Sequence, residues 1–341
     1  MAVTLKDVAE KAGVSRSAVS RTFTEGASVS TKTRSKVERA ASSLGYRPNF
    51  LASSLTTRRT KLIGLVSDNF HNPIFLEVFD LFTRSLQDRG LRPLLVNLSS
   101  STEPEKSAQM LQQYSVDGVV LASSTLPPAF AEAFRKSDAP IVHSFGRYTD
   151  APQVHVVGID NRQGGQLAAQ ALLDRGYRRI GLMGGPKDAT STQDRAEGFM
   201  EVLRNAPGVD VSISYAEAYS FRAGRAEMTR LVAEGPAEAY FCGDDVLAIG
   251  AMSAIESAGL SVPGDIGLIG LNDMEMAGWE NINLTTIFQP VEQIIKTSIE
   301  LIVAMIEDPD QAPKSQLFQC RLIERGTLRP ISGPGEPGSG V

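Results

Sequence analysis

The sequence of 341 residues has few of the features that mark secreted, membrane or metal-binding proteins. Its two cysteines, Cys242 and Cys320, are too few for a disulfide framework, and neither has a partner at metal-ligand spacing. We expect both to be reduced thiols in or near strands. No apolar run is long enough to span a membrane, and no basic-then-apolar leader opens the sequence. We therefore expect a cytoplasmic protein that does not associate with membranes.

The motifs of several enzyme classes are also missing. The sequence has no Gly-x-x-x-x-Gly-Lys phosphate loop and no serine in a nucleophile elbow, and Gly184 and Gly185 lack the spacing of a dinucleotide fingerprint. The three histidines, His71, His143 and His155, do not have zinc-ligand spacing. We therefore expect no catalytic activity, no metal ion and no cofactor.

Charge is distributed unevenly along the chain. Residues 1–61 contain twelve Lys and Arg against four Asp and Glu, an excess of +8; the whole chain carries −5, so the remainder carries −13. A basic segment on an acidic remainder is typical of a soluble protein that binds nucleic acid locally. The length and the 42% hydrophobic content are sufficient for two or three folding units.

Within the basic segment, residues 4–21 read TLKDVAEKAGVSRSAVSR. Thr4 and Ser15 are expected to cap two short helices, with Gly13 in the turn between them. Small apolar residues at helical spacing would pack the two helices together and leave the polar and basic residues of the second helix exposed. From this stretch alone, a DNA-binding helix-turn-helix and a generic amphipathic hairpin both remain open.

A third helix is predicted within VSTKTRSKVERAASSLGYRPN, capped by Ser30 and ending at Gly45. In a helix-turn-helix the second helix enters the major groove, where arginine can bind guanine through two hydrogen bonds. The base-reading candidates are therefore Arg16, Ser17 and Arg21. The candidates for phosphate contacts, which fix position without reading sequence, are Thr4, Ser15, Ser20, Ser30, Thr33 and Tyr46.

Three segments, DVAEKAGVSRSAVSR, VSTKTRSKVERAASSLGYRPN and LASSL, occur in the order and spacing of the LacI/GalR family of bacterial transcription regulators, which the sequence resembles. The resemblance implies that residues 51–57 form a hinge helix on operator DNA, with Ala52 and Leu55 at the minor groove and Leu55 as a wedge. The alternative is a short linker helix that packs on its own domain. The resemblance also implies a homodimer on a near-palindromic operator.

From Leu62 onward, short apolar runs alternate with amphipathic stretches, which predicts βα units and parallel sheets. Strands are expected at LIGLVS, RPLLVNL, DGVVLAS, PIVHSF and HVVGIDN, and in a second set at RRIGLMGG, SISYAEAY, EAYFCG and IGLIGLND. Helices are expected at 74–90, 104–115, 127–137, 163–175, 194–205, 223–234, 245–258 and 291–307. The predicted fold is an all-α helix-turn-helix domain followed by an α/β core of two Rossmann-like lobes, which the resemblance makes periplasmic-binding-protein-like.

The predicted domains are a helix-turn-helix at 1–48, a hinge and linker at 49–61 and the core at 62–328. The N-lobe is expected at about 62–160 plus 291–318, and the C-lobe at about 161–290 plus 319–328. LTTIFQP is interpreted as a return crossing and QLFQCRLIERGT as a last strand pair. Residues 329–341 are too rich in Gly, Pro and Ser to pack and are expected to be disordered.

In open parallel sheets, ligands bind beyond the carboxyl ends of the strands. The family resemblance, carried over position by position, gives as effector-binding candidates Asn72, Phe75, Arg147, Arg195, Tyr219, Asp244 and Asn272. Carboxylates, amides and guanidinium groups bind vicinal hydroxyls, and aromatic rings cover the apolar face of a sugar, so we expect a sugar or sugar derivative. The alternative for each residue is a strand-end polar group that caps a helix or links the lobes.

Two positions depart from the family pattern. Gly146 stands where the family often has an acid, and Asn272 stands where it often has Asp. Without these two carboxylates, the effector site would also tolerate an anionic ligand such as a sugar acid or phosphate. The sequence thus predicts an effector-controlled transcription regulator, with repression as the expected mode. The alternative is an architectural or constitutive DNA-binding dimer that needs no ligand.

Overall fold

The computed structural model describes residues 3–24, 26–47, 59–68, 70–98, 104–126, 130–131, 134, 139–309 and 311–331. The chain divides into two compact units, residues 1–60 and 61–341, which we call the N-terminal unit and the core unit. Three predicted features lie wholly or largely outside the described residues: the hinge helix at 51–57, the helix at 127–137 and the tail at 329–341.

The N-terminal unit contains three helices, α1 (Leu5–Ala12), α2 (Arg16–Phe23) and α3 (Thr31–Leu44). Each begins after a predicted cap, because the hydroxyls of Thr4, Ser15 and Ser30 accept hydrogen bonds from backbone N–H groups three residues further on. Asp7 completes a capping box by accepting from the Thr4 backbone N–H at 2.8 Å. The predicted starts of these helices are confirmed.

The three helices enclose a small core of buried side chains: Val8, Ala9, Val19, Val37, Ala40 and Ala41. The rings of Phe23 and Tyr46, with centroids 6.0 Å apart, extend this core at one side. Arg34 on α3 donates from Nη1 to the Thr22 carbonyl at 2.8 Å and so joins α3 to α2. This arginine therefore has a structural partner that the sequence did not indicate.

The core unit contains two six-stranded sheets, with helices and strands numbered along the chain. The first sheet consists of β1 (Leu62–Ser67), β2 (Arg92–Asn97), β3 (Gly118–Ala122), β4 (Ile141–Ser144), β5 (His155–Ile159) and β11 (Ser315–Phe318). Its order is β11-β5-β4-β3-β1-β2, and all its pairs are parallel. Together with this sheet, the first lobe contains the helices α4 (Ile74–Asp88), α5 (Pro104–Gln113) and α10 (Val291–Glu307).

The second sheet consists of β6 (Arg179–Gly184), β7 (Asp210–Tyr215), β8 (Ala239–Cys242), β9 (Gly267–Asn272), β10 (Thr286–Phe288) and β12 (Arg321–Ile323). Its order is β12-β10-β9-β8-β6-β7, with only β12 antiparallel to its neighbour. Together with this sheet, the second lobe contains the helices α6 (Asn161–Asp174), α7 (Thr190–Leu203), α8 (Phe221–Glu234) and α9 (Asp245–Ser257) and a 3₁₀ helix (Glu275–Gly278).

The chain passes between the two sheets three times, after β5, after β10 and after β11. The predicted crossing LTTIFQP contains β10, which belongs to the second sheet, so only the residues after Phe288 cross. Helix α10 then returns to the first lobe, where its apolar face joins the core cluster that contains Val120 and Val142. The predicted class, an all-α unit followed by a two-lobed α/β core, is confirmed.

Among the element boundaries that differ from the predictions are those of β7 and α7. The strand predicted at 212–219 is β7, which begins at Asp210 and ends at Tyr215. Helix α7 begins at Thr190, four residues before its predicted start, and no side chain caps it. Instead, the backbone N–H groups of Thr190 and Ser191 donate to the carbonyls of Thr125 and Ser124 in the first lobe, at 3.4 and 3.2 Å. Because this cap comes from the other lobe, no signal near Thr190 in the sequence predicts it.

Both cysteines are buried and neither forms a disulfide. Cys242 ends β8, and Cys320 lies between β11 and β12. Burial raises the pKa of both thiols, to about 12 for Cys320. Across the described residues, no helix is long and apolar enough to cross a membrane.

Candidate functional site

The outer face of α2 carries the predicted base-reading residues. Arg16, Ser17 and Arg21 are exposed, whereas Val19 on the opposite face is completely buried. No described residue accepts a hydrogen bond from the guanidinium group of Arg16 or Arg21, while those of Arg34 and Arg39 donate to backbone carbonyls. The donors of Arg16 and Arg21 thus remain available to an external partner.

The predicted phosphate contacts lie on or beside all three helices. Thr4, Ser15, Ser30 and Thr33 lie at helix N-termini, where backbone N–H groups and the helix dipole favour an anion. Ser20 is exposed on α2 and Tyr46 follows α3, half-buried. Burial raises the pKa of the Tyr46 hydroxyl, which therefore stays protonated as a potential donor.

In the core unit, six of the seven predicted effector residues line one cavity between the lobes. They are Asn72 and Phe75 from the first lobe and Arg195, Tyr219, Asp244 and Asn272 from the second. This inter-lobe cavity has a volume of about 20 Å³, which is room for about one water molecule. The lobes are therefore closed on each other, and a sugar would fit only after they separate.

The Asp244 carboxylate is the centre of the polar network in this cavity. Its Oδ2 accepts hydrogen bonds from Asn72 Nδ2 at 2.8 Å and Asn272 Nδ2 at 2.9 Å, and its Oδ1 accepts from the Val246 N–H at 2.8 Å. Burial raises the pKa of Asp244, and these bonds oppose the rise. Because Asn72 belongs to the first lobe, one carboxylate both caps α9 and joins the lobes.

Arg195 and Tyr219 are also held by neighbouring groups. Arg195 donates from Nε to Asn161 Oδ1 at 2.8 Å and from Nη1 to the Gly243 carbonyl. The Tyr219 hydroxyl lies 2.6 Å from Thr192 Oγ1. A side chain at position 185 would overlap the Tyr219 ring, so this position needs glycine. Both side chains thus have fixed orientations at the cavity wall.

The second acid of the pair, Asp245, is fully buried behind the cavity. Its Oδ1 accepts from Thr286 Oγ1 at 2.5 Å, and its Oδ2 accepts from the Met274 N–H at 2.8 Å. Burial raises its pKa to about 7. Asp245 therefore fixes the segments around Met274 and Thr286, whereas Asp244 alone lines the cavity.

The seventh candidate, Arg147, does not line the inter-lobe cavity. It reaches across to the second lobe, where its Nη2 donates to Asp194 Oδ1 at 2.5 Å. A Cβ atom at the neighbouring Gly146 would lie 2.7 Å from the His143 ring. Burial lowers the pKa of His143 to about 4, so this ring is neutral at pH 7. The family's acid would therefore not fit at position 146 while His143 keeps this place.

Sequence reasoning missed three polar or aromatic residues of the cavity wall, Ser124, Phe145 and Gln289. Phe145 directly follows β4 and Gln289 directly follows β10. Both therefore satisfy the rule that ligands bind beyond the carboxyl ends of strands, which would have found them without the family resemblance. No group of three or more His, Cys, Asp or Glu in the described part of the chain is arranged to hold a metal ion.

Comparison with known proteins gives matches over both units. Residues 4–49 match the family described as bacterial regulatory proteins, lacI family, and residues 169–328 match the periplasmic binding protein-like domain. The HTH-type transcriptional repressor CytR of Escherichia coli strain K12 is 30% identical over 336 residues, covering 97% of both chains.

Solved structures match over the same length. The Lac repressor dimer bound to operator and the anti-inducer ONPF aligns with a TM-score of 0.86 and 26% identity, covering 96% of this chain and 100% of that one. The complex of the transcriptional regulator CelR with cellobiose aligns with a TM-score of 0.71 and 30% identity, covering 95% and 99%.

Proposed function

Because this chain belongs to the LacI family of bacterial regulatory proteins, we propose that it is a sequence-specific transcriptional repressor controlled by a small-molecule effector. Its operator is near-palindromic double-stranded DNA, and its effector is a sugar or sugar derivative bound between the two core lobes. The observation that carries the proposal is the exposed face of α2, where Arg16 and Arg21 have no acceptor among the described residues. We also expect it to act in the cytoplasm, where operator DNA lies, and to catalyse no reaction.

On DNA, α2 occupies the major groove and Arg16, Ser17 and Arg21 read base edges. The hydroxyls at the helix N-termini contact phosphates. Ala52 and Leu55, which lie outside the described residues, contact the minor groove, with Leu55 inserted between base pairs.

The effector acts through the lobes. The hydrogen bond between Asn72 and Asp244 joins them directly, so a ligand hydroxyl that binds Asp244 replaces an inter-lobe contact and favours a different lobe arrangement. The Lac repressor was solved with operator and an anti-inducer, and CelR with cellobiose. The CelR complex supports a carbohydrate-type effector for this chain.

We propose that the protein acts as a homodimer, as the solved Lac repressor does. The edge strands β2 and β7 support this, because each presents exposed apolar side chains. Leu95 on β2 is 50% exposed, and Ile213 and Tyr215 on β7 are 40% and 36% exposed. An unpaired strand edge with exposed apolar side chains can pair with a second copy of the chain.

The first test is a thermal-shift screen of the full chain against sugars, sugar acids, sugar phosphates and nucleobases. Each hit is then tested for its effect on binding to an operator selected from randomised DNA. We expect at least one hit to stabilise the core and to change operator affinity by roughly 5- to 150-fold. A stabilising ligand that leaves operator affinity unchanged would instead support a constitutive DNA-binding protein.

Arg16→Ala is expected to remove the preference for one base in each half-site and to weaken binding to the native operator by about 10-fold or more. The reason is the loss of a bidentate contact rather than of charge alone. Selection from randomised DNA, repeated with the variant, measures the preference. Arg39→Ala is the matched control, since it removes an exposed arginine from α3 whose Nε donates to the Ser35 carbonyl. An unaltered binding logo for Arg16→Ala would contradict its base-reading role.

A further inference from the structure

A second cavity, of about 250 Å³, adjoins the inter-lobe cavity. The two share Ile74, Asn272 and Gln289 in their walls. This outer cavity lies between the first turns of α4 and the chain that crosses from β10 to α10, and its further walls include Glu77, Asp273, Phe288, Glu292 and Gln293. The shared residues make the two cavities neighbouring parts of one larger site.

Gln289 stands at the junction of the two cavities. It is only 8% exposed, and no described residue forms a hydrogen bond with its side-chain amide. Its amide atoms are not fully buried, because they are accessible from the two cavities that the residue lines. A ligand that continues from one cavity into the other would place a polar group within reach of Gln289.

The outer cavity has a strongly acidic lining. Glu77, Asp273 and Glu292 contribute carboxylates to it, and no Lys, Arg or His is among its wall residues. Arg325 pairs with Asp273 at 2.6 Å, but neither Glu77 nor Glu292 forms an ion pair within the described chain. Burial raises the pKa of the Glu77 carboxyl, and the charges of Glu292, Glu275 and Asp273 raise it further. The negative potential therefore comes from several acids.

On the basis of the proposed function, we propose that the effector is a molecule with two parts. One part is a ring that binds in the inter-lobe cavity, and the other is a neutral or cationic polar group that binds in the outer cavity. A neutral disaccharide, a nucleoside or an amino-sugar glycoside has this form. Hydroxyl or ammonium groups of the second part donate hydrogen bonds to Glu77 and Glu292.

The same lining discriminates against anions. A phosphate or carboxylate on the second part would meet the carboxylates of Glu77 and Glu292, which are exposed, so solvent reduces the charge repulsion without removing it. Without the family's acids at positions 146 and 272, the site would tolerate anionic sugar acids and phosphates. Glu77 and Glu292, which stand at other positions, disfavour these anions.

The test uses ligand pairs in which one member carries an added anionic group, a carboxylate or a phosphate: cellobiose with cellobionate, glucose with glucose 6-phosphate, and adenosine with its 5′-monophosphate. Affinities are measured by calorimetry on the full chain. For every pair whose neutral member binds, we expect the anionic member to bind at least 10-fold more weakly. Equal or tighter binding of the anion would overturn this inference but not the proposed function. No binding by any member would overturn the carbohydrate-type effector itself, and this inference with it.

The double variant Glu77→Gln with Glu292→Gln assigns the discrimination to the outer cavity. We expect it to reduce the preference for the neutral member to within about 3-fold, because both unpaired carboxylates are gone. Glu300→Gln, an exposed glutamate on the same helix as Glu292, is the matched control and should leave the preference unchanged. A preference that survives the double variant would overturn the role of these two acids.

Gln293→Trp tests the two-part shape. Gln293 is exposed and lines only the outer cavity, so a bulky ring there fills that cavity without disturbing the core. We expect the affinity for the two-part ligand that binds to fall at least 10-fold, while the affinity for its single-ring component stays within 2-fold. Equal losses for both ligands, or no loss for either, would overturn the assignment of the second part to this cavity.

Discussion

Gly165→Ala is expected to destabilise the core unit by about 3 kcal/mol, which corresponds to a melting temperature lower by roughly 6–12 °C. A Cβ atom at position 165 on α6 would overlap the Arg195 carbonyl oxygen and come within 2.8 Å of the Phe199 nitrogen. Both atoms belong to the backbone of α7, so they move away only if the two helices separate. Gly198 on α7 meets the Arg162 carbonyl of α6 in the same way.

Gly164→Ala is the matched control for this prediction. It lies on the same helix and gains the same helix propensity, about 1 kcal/mol relative to glycine. Its Cβ atom would meet only the end of the Leu271 side chain, at 3.3 Å. We expect this variant to melt within a few degrees of the native protein in a circular dichroism experiment. If the two variants melt at the same temperature, the close approach of α6 and α7 is not what requires glycine.

Asp244→Ala is expected to weaken effector binding by roughly 100-fold and to abolish the effect of the ligand on operator affinity. Hydrogen bonds to a charged group contribute about 1.5–3 kcal/mol each. The variant removes the acceptor for a ligand hydroxyl and leaves the amides of Asn72 and Asn272 without their present partner. Calorimetry with the effector found by screening measures the loss, and operator titrations with and without ligand measure the coupling.

Asp174→Ala controls for the loss of an aspartate from the same lobe. This residue is exposed at the end of α6, and among the described residues its side chain accepts a hydrogen bond only from Gln170. We expect native effector affinity for it and an unchanged DNA sequence preference for both variants. Native effector affinity in Asp244→Ala would show that the ligand binds elsewhere.

How far the sequence predicts the fold depends on whether a signal is local. Thr4, Ser15 and Ser30 were predictable as caps because each accepts a hydrogen bond from a residue three positions away. The start of α7 was not, because the acceptors for its first N–H groups, Ser124 and Thr125, lie more than sixty residues earlier in the chain.

The candidate site shows the same division. The family resemblance predicted six of the cavity residues, and these lie together because the strand ends of both lobes meet at the cavity. Arg147 also follows a strand, but position does not predict the direction of a long side chain, and its guanidinium pairs with Asp194. Neither the His143 ring against Gly146 nor the outer cavity is visible in the sequence, because both arise from residues that only the fold brings together.

The three passages of the chain between the sheets also affect the order in which the protein can fold during synthesis. The N-terminal unit is complete once α3 has left the ribosome. The first lobe, by contrast, needs α10 and β11, which are among the last elements to be made. Since domains generally fold as units from the N-terminus, the DNA-binding unit gains its structure well before the lobes that regulate it. A chain truncated between α3 and α10 therefore carries the first without the second.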